Sequence, residues 1–171
     1  FHIFYQLVSS LSSDLLSEFG LRSAPSMDSF HYLNQSGCYT VETIDDISDF
    51  NDTVNAMNTM GISLQEQKDI FRLLMSILFL GNVQFQPKGK DEITVSNKGA
   101  LQTFATIFGV PASMAEKSLC FRSISSGVGN RGTVYSVPQT VEQAEYSRDA
   151  LAKSIYSRLF DYIIKRINQS M

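Results

Sequence analysis

The chain has 171 residues, a net charge of -3, 43% hydrophobic and 18% charged residues, enough apolar content to bury one core and too little charge for a disordered chain. The mild acidity excludes a general polyanion-binding role, and no nucleic-acid partner is expected. Two lone cysteines, Cys38 and Cys120, exclude a disulfide scaffold and a cysteine zinc site, which points to a reducing compartment. No apolar run is long enough to span a bilayer, and neither a secretory leader nor a membrane contact is expected from this segment.

Residues 1–11 read as a helix, because Ile3, Phe4, Leu7, Val8 and Leu11 recur at helical spacing. That helix lacks a preceding cap, so the chain is expected to be a piece of a longer protein. Ser13–Phe19 reads as a short second helix closed by Gly20. Residues 22–45 are rich in turn formers, with Phe30, Tyr32 and Tyr39 as anchors. Asp46–Met60 carries an apolar stripe of Ile47, Phe50, Val54 and Met57. The acids Asp45, Asp46, Asp49 and Asp52 suit that helix's N-terminal dipole and are not a metal cluster.

Ser63-Leu-Gln-Glu66 is a capping box that opens a helix to Leu80, apolar nearly all round from Ile70 and stopped by Gly81-Asn82. Val83/Phe85 and Ile93/Val95 alternate across a Pro87-Lys-Gly89 turn, which predicts a small hairpin. Asn97–Phe108 and Pro111–Leu119 are two helices split by Gly109, with Pro111 at a first helical position. Residues 121–138 form a Gly/Ser-rich surface loop that holds short strands. Thr140-Val-Glu-Gln143 caps a helix over 140–168, about 42 Å long, whose apolar positions step mostly by four. Val141, Ala144, Leu151, Ile155, Leu159, Ile163 and Ile167 lie on that seam, and Ala152, Tyr156 and Phe160 widen it.

Chemistry-bearing motifs are few. Gly127-Val-Gly129-Asn-Arg-Gly132 matches a dinucleotide fingerprint in letters, but a β-branched run and Pro138 come after it where the fingerprint needs a helix. No GxxxxGK[ST] phosphate loop occurs, and His2 and His31 lack partners at ligand spacing. No catalytic, cofactor-binding or metal-binding residue is therefore assigned. Charge is uneven: residues 1–119 hold 7 Lys+Arg against 13 Asp+Glu, and residues 120–171 hold 7 against 4. Between Cys120 and Thr140 the only charges are Arg122 and Arg131, so the 121–138 loop is a basic surface.

Four ordered stretches carry a family resemblance. They are Phe-His-Ile-Phe-Tyr-Gln-Leu at 1–7, Tyr-Leu-Asn-Gln-Ser-Gly-Cys at 32–38, Ile-Leu-Phe-Leu-Gly-Asn-Val-Gln-Phe at 77–85, and Arg-Asp-Ala-Leu-Ala-Lys at 148–153 leading into Arg-Leu-Phe-Asp-Tyr-Ile at 158–163. Together they resemble the myosin heavy chains, within the upper actin-binding half of the motor domain. The resemblance implies a single partial domain over 1–171: mainly α, an irregular helical domain with a small β-hairpin and a β-like surface loop, part of a P-loop NTPase motor. It implies that the stretch lies between the family's two nucleotide switches, so that ATP and Mg belong to the parent motor and no cofactor to this stretch.

It also implies that the 121–138 loop faces the actin filament through Arg122, Arg131, Thr133 and Tyr135. The family's regulatory position stands sixteen residues before Asp149, which is Thr133. A hydroxyl there resembles the class I, single-headed myosins, whose loop is a target of p21-activated-type kinases. The expected setting is cytoplasmic, on the actin cytoskeleton, with the remainder of the motor domain as a further partner. Phe79 stands where a His is common and Tyr162 where a Trp is common, and both positions read as core. The alternative reading is a free-standing helical interaction module that binds an acidic protein partner through the basic loop. The two differ in whether the terminal helices leave a large apolar face uncovered.

Overall fold

The computed structural model describes residues 1–90, 92–126 and 133–170, and within these the side chains of residues 125, 126, 133 and 134 are outside the description. The chain opens with α1 (His2–Ser9) and α2 (Ser13–Glu18), the latter capped by the Ser12 hydroxyl, which accepts from the Leu15 N–H. Both fall inside the ranges that periodicity predicts. A turn-rich stretch then leads to α3 (Asp46–Thr59), whose N-cap Asp45 accepts from the Ile47 and Ser48 N–H groups. Its core face is Phe50 and Met57, with Val54 packed beside them. Ile47, placed in that stripe by spacing, is exposed. It sits in the first turn, where the helix overhangs the core edge.

α4 (Leu64–Gly81) is the central element. Its predicted capping box is present, with the Ser63 hydroxyl accepting from the Glu66 N–H and the Glu66 carboxylate accepting from the Ser63 N–H. From Ile70 onward most of its residues are buried, including Met75 and Leu78, as expected for a helix with neighbours on nearly all sides. The turn-rich segment is fastened to its end. Phe30 is fully buried in edge-to-face contact with Phe79, 5.3 Å between centroids. Asn82 accepts from the His31 N–H (2.8 Å) and donates to the Ser29 carbonyl (2.8 Å). The Tyr32 ring lies so close over Gly81 that a Cβ there would come within 2.6 Å of it, which explains the glycine in Leu-Gly-Asn.

β1 (Phe85–Lys88) and β2 (Glu92–Val95) form the expected antiparallel hairpin, with Phe85 opposite Val95 and Pro87 opposite Ile93. Pro87 and Lys88 belong to β1 and not to the turn. An edge strand tolerates a proline because its missing N–H is not required by a second neighbour. Ile93 and Val95 pack down onto the core.

α5 (Lys98–Phe108) ends at Gly109, a left-handed C-cap with φ +82. In α6 (Ala112–Cys120) Pro111 is the N-cap, one position earlier than expected, at φ -62 and ψ 133. The chain then passes straight into β3 (Phe121–Ser126), which pairs with β4 (Thr133–Pro138) from Phe121↔Pro138 to Ser126↔Thr133. The β-like loop is thus a second hairpin. Its tip, residues 127–132, lies outside the described residues, and so do Arg131 and the Gly127–Gly132 motif. Strand β4 comes directly after that motif, in the place where a dinucleotide site would need a helix.

α7 (Val141–Ser170) has 30 residues, about 45 Å of helix. Thr140 caps it reciprocally: its hydroxyl accepts from the Gln143 N–H and its own N–H donates to the Gln143 amide oxygen. Ala144, Arg148, Ala152 and Leu159 are buried against the body, while Leu151, Ile155 and Ile163 are half-buried. Phe160, expected to widen that face, is exposed. Tyr162 is a second correction, being 41% exposed. Its hydroxyl donates to Glu66 (2.8 Å), so it serves a polar link and not the core. Phe79 packs on Phe30, as expected of a core position.

Candidate functional site

The second hairpin carries the residues chosen from the sequence, and Arg122 to Ile124 and Tyr135 to Ser136 in it are exposed. In an antiparallel pair, residues directly opposite stand on the same face and the face alternates along each strand. The register therefore groups positions 122, 124 and 126 with 137, 135 and 133. Arg122 and Tyr135, chosen from the sequence, thus share one face, and position 133 falls in the same alternation. Arg122 is exposed, and Tyr135 is 55% exposed. Ile124, directly opposite Tyr135 and 39% exposed, joins them. Sequence reasoning missed Ile124, and the only available signal was its strand parity with Arg122. The Thr133 side chain and all of Arg131 lie outside the description, so Thr133 is placed only by its backbone register and Arg131 only by its position in the chain.

The described part of this face carries one cation, a phenol and two aliphatic side chains, Ile124 and the half-buried Val137, without a carboxylate. Such a surface suits an acidic partner that also offers apolar contact. Its root is built differently. Gln139, just past β4, is 6% exposed and hydrogen-bonded on every side. Its N–H donates to the Cys120 carbonyl (2.9 Å), its amide nitrogen to the Leu119 carbonyl (2.9 Å), and its amide oxygen accepts from the Ser147 hydroxyl (2.7 Å).

The Arg148-Asp149 pair of α7 anchors the body beside that root. Arg148, 6% exposed, donates through its Nη1 to the Val83 carbonyl (2.9 Å) and through Nε to Asp149 (2.8 Å). Asp149 also accepts from the Tyr32 hydroxyl (2.6 Å). Burial pushes the Tyr32 phenol well above its ordinary value, and its hydrogen bond to Asp149 adds to the shift. Burial opposes ionisation of Asp149 too, but the Arg148 and Tyr32 hydrogen bonds hold it below the usual carboxylate range. A stable ion pair with two further partners is structural chemistry, not acid-base catalysis.

A second link lies farther along α7. Glu66 accepts from Arg166 Nε (2.9 Å) as well as from Tyr162 and Ser63. The Arg166 hydrogen bond, then those from Ser63 and Tyr162, bring its carboxyl down to about 2. Between the body and the middle of α7 runs an apolar groove of about 740 Å³, lined by Phe1, Phe4, Tyr5, Tyr156 and Phe160 with Lys153 among them. Phe1 and Phe160 stand exposed along it.

Among the described residues no group of three or more His, Cys, Asp or Glu side chains converges as a metal site, and no helix is long and apolar enough to cross a membrane. His2 and His31 are both exposed, and both cysteines are free. Asp45 and Asp49 serve the start of α3 as an N-cap and a first-turn acid.

Comparison with known proteins places this architecture. The family described as Myosin head (motor domain) matches residues 1–171. Myosin ID heavy chain of Dictyostelium discoideum is 47% identical over 176 residues, covering 100% of this chain and 16% of its own length. Myosin IA heavy chain of the same organism is 46% identical, covering 100% of this chain and 17% of its own length. Myosin IC heavy chain of Acanthamoeba castellanii is 43% identical, covering 100% of this chain and 14% of its own length. The chain therefore spans about a sixth of the length of the curated relatives it matches. Matched end to end, with the ordered motifs of helices α1, α4 and α7 in place, the chain belongs to the myosin head (motor domain) family and is class I-like within it.

Proposed function

We propose that this chain is part of an actin-based, ATP-driven motor in which the β3–β4 hairpin meets the actin filament and Thr133 carries a regulatory phosphate. The observation that carries the proposal is the register of that hairpin. It sets Arg122, Ile124 and Tyr135 on one exposed face, with position 133 in the same alternation at the far end. No carboxylate occurs between Cys120 and Thr140. A phosphate on Thr133 adds about -1.5 to -2 charges and three strong acceptors to a surface that otherwise carries only Arg122 and Arg131. The local charge is then close to neutral, and the way the hairpin meets an acidic filament changes.

In this reading the remainder of the motor supplies the phosphate loop, both switches, ATP and Mg, and this chain supplies scaffold and filament contact. The kinase is of the p21-activated type, and the setting is the cytoplasmic actin cytoskeleton.

The test uses the full-length motor with Thr133→Ala and Thr133→Glu. Actin-activated ATPase of the Glu variant is expected to exceed that of the Ala variant by about fivefold or more, the size of an ordinary regulatory coupling. Equal rates end the regulatory claim. Equal actin affinity in Arg122→Ser and Tyr135→Ser variants ends the contact claim.

A further inference from the structure

Resting on the actin-facing reading of the hairpin, we propose that Gln139 is a positioning residue: it sets the direction in which β3–β4 leaves the body and so governs filament engagement without entering the contact itself.

Gln139 stands between Pro138, the last residue of β4, and Thr140, the cap of α7, so no spare residue separates hairpin from helix. On the other strand, Cys120 ends α6 and Phe121 begins β3, again with nothing between. The hairpin therefore joins the body directly at its root, where Phe121 packs against the core and Gln139 faces Cys120. Its backbone N–H extends the ladder by one rung, to the Cys120 carbonyl. Its side chain does what the ladder cannot. The amide nitrogen satisfies the Leu119 carbonyl, one of the last carbonyls of α6 and so without an intrahelical donor. The amide oxygen receives the Ser147 hydroxyl two turns along α7.

One buried side chain thus holds the end of α6, the root of the hairpin and the flank of α7 in fixed relation. Swinging the hairpin away from α7 requires breaking one of these bonds inside the protein, where an unmade bond is costly. An apolar residue of equal size would fill the same space without fixing the direction. Among the described side chains of the hairpin, Arg122, Ser123, Ile124, Tyr135 and Ser136 all reach solvent, and burial is confined to Phe121, Val137 and Pro138 beside Gln139 at the root.

The decisive variant in the full-length motor is Gln139→Met, which keeps volume and removes both side-chain bonds. Ser147→Ala removes one of them from a half-buried site on α7 and carries the test if the Met variant fails to fold. Three quantities are read: ATPase without actin, the actin concentration giving half-maximal activation, and hydrogen-exchange protection of the Ile124 and Tyr135 amides. The half-maximal actin concentration is expected to rise on the order of threefold to tenfold for Gln139→Met and less for Ser147→Ala, the scale of one or two buried hydrogen bonds. The rate without actin and the maximal rate stay unchanged, and hairpin protection falls. A folded variant with unaltered hairpin protection and unaltered actin dependence overturns the proposal. Lost protection with unaltered actin dependence, alongside the same indifference in Arg122→Ser and Tyr135→Ser, instead overturns the filament reading and leaves Gln139 as the clamp. Lost protection with unaltered actin dependence, where Arg122→Ser and Tyr135→Ser do weaken binding, overturns the role given to Gln139.

Discussion

The two hairpins, with strands of four and of six residues, are used in opposite ways. β1–β2 turns Phe85, Ile93 and Val95 into the core, whereas β3–β4 leaves Arg122, Ile124 and Tyr135 in solvent. An isolated two-stranded ribbon is marginal in water, so each needs support from outside itself. The first draws it from a buried face. The second draws it from its root. Both supports converge on adjacent residues of α7, Arg148 holding the Val83 carbonyl at the entry to β1 and Ser147 holding Gln139 at the exit of β4. A strand pair ordered by burial gives one face to the core and keeps only the other open, whereas one ordered from its root leaves both faces of its middle in solvent.

The comparison breaks most visibly at matched aliphatic positions. Ile93→Ala removes a buried side chain and is expected to cost about 2–4 kcal/mol, seen as a lowered thermal midpoint. Ile124→Ala, on the exposed hairpin, should stay within about 0.5 kcal/mol. Similar losses at the two sites would mean that the second hairpin is also held by its face. Next in size is the pair on α7. Arg148→Met strips Asp149 of its cation and leaves the Val83 carbonyl unpaired in the interior, an expected loss of about 2–3 kcal/mol. Ser147→Ala, removing one neutral bond from its neighbour, should cost at most about 1 kcal/mol.

How much of this is legible in the residues alone differs along the same line. Capping boxes at Ser63 and Thr140, the left-handed Gly109 and the alternation about β1–β2 are local signals, and each stands where the residues indicate. Ile47, Phe160 and Tyr162 read as core because an apolar or aromatic residue at helical spacing carries no label saying whether a neighbour covers it. Their exposure is a property of the surroundings, which a periodic pattern does not contain. At the candidate site, charge and family resemblance lead to Arg122 and Tyr135, and neither reveals register. Ile124 needs the pairing of β3 with β4, which the six residues between the strands do not dictate. Gln139 has no signal at all: one polar residue between a proline and a cap reads as loop until three elements meet on it.

Acid provides the finest probe of the contrast. Glu116 of α6 holds the first hairpin by accepting from the Thr94 hydroxyl (2.9 Å) and the Val95 N–H (3.3 Å), and it pairs with Lys98. Burial pushes its carboxyl up, yet the hydrogen bonds from Lys98, Thr94 and Val95 together hold it below the ordinary 4.5. A carboxyl depressed in the folded state contributes stability that is complete above the ordinary value and is lost as pH falls through the lower folded value. Protection of the Thr94 and Val95 amides should therefore decline as pH drops below about 4.5, the ordinary value of the group. Glu116→Gln, which keeps an acceptor but not the charge, should cost about 0.5–1 kcal/mol at neutral pH and flatten that decline. Among its described residues the second hairpin has no carboxylate, so the Ile124 and Tyr135 amides should keep their protection through the same window. A parallel loss at both hairpins would show that their order has a common source, and the separation of a buried face from an anchored root would not hold.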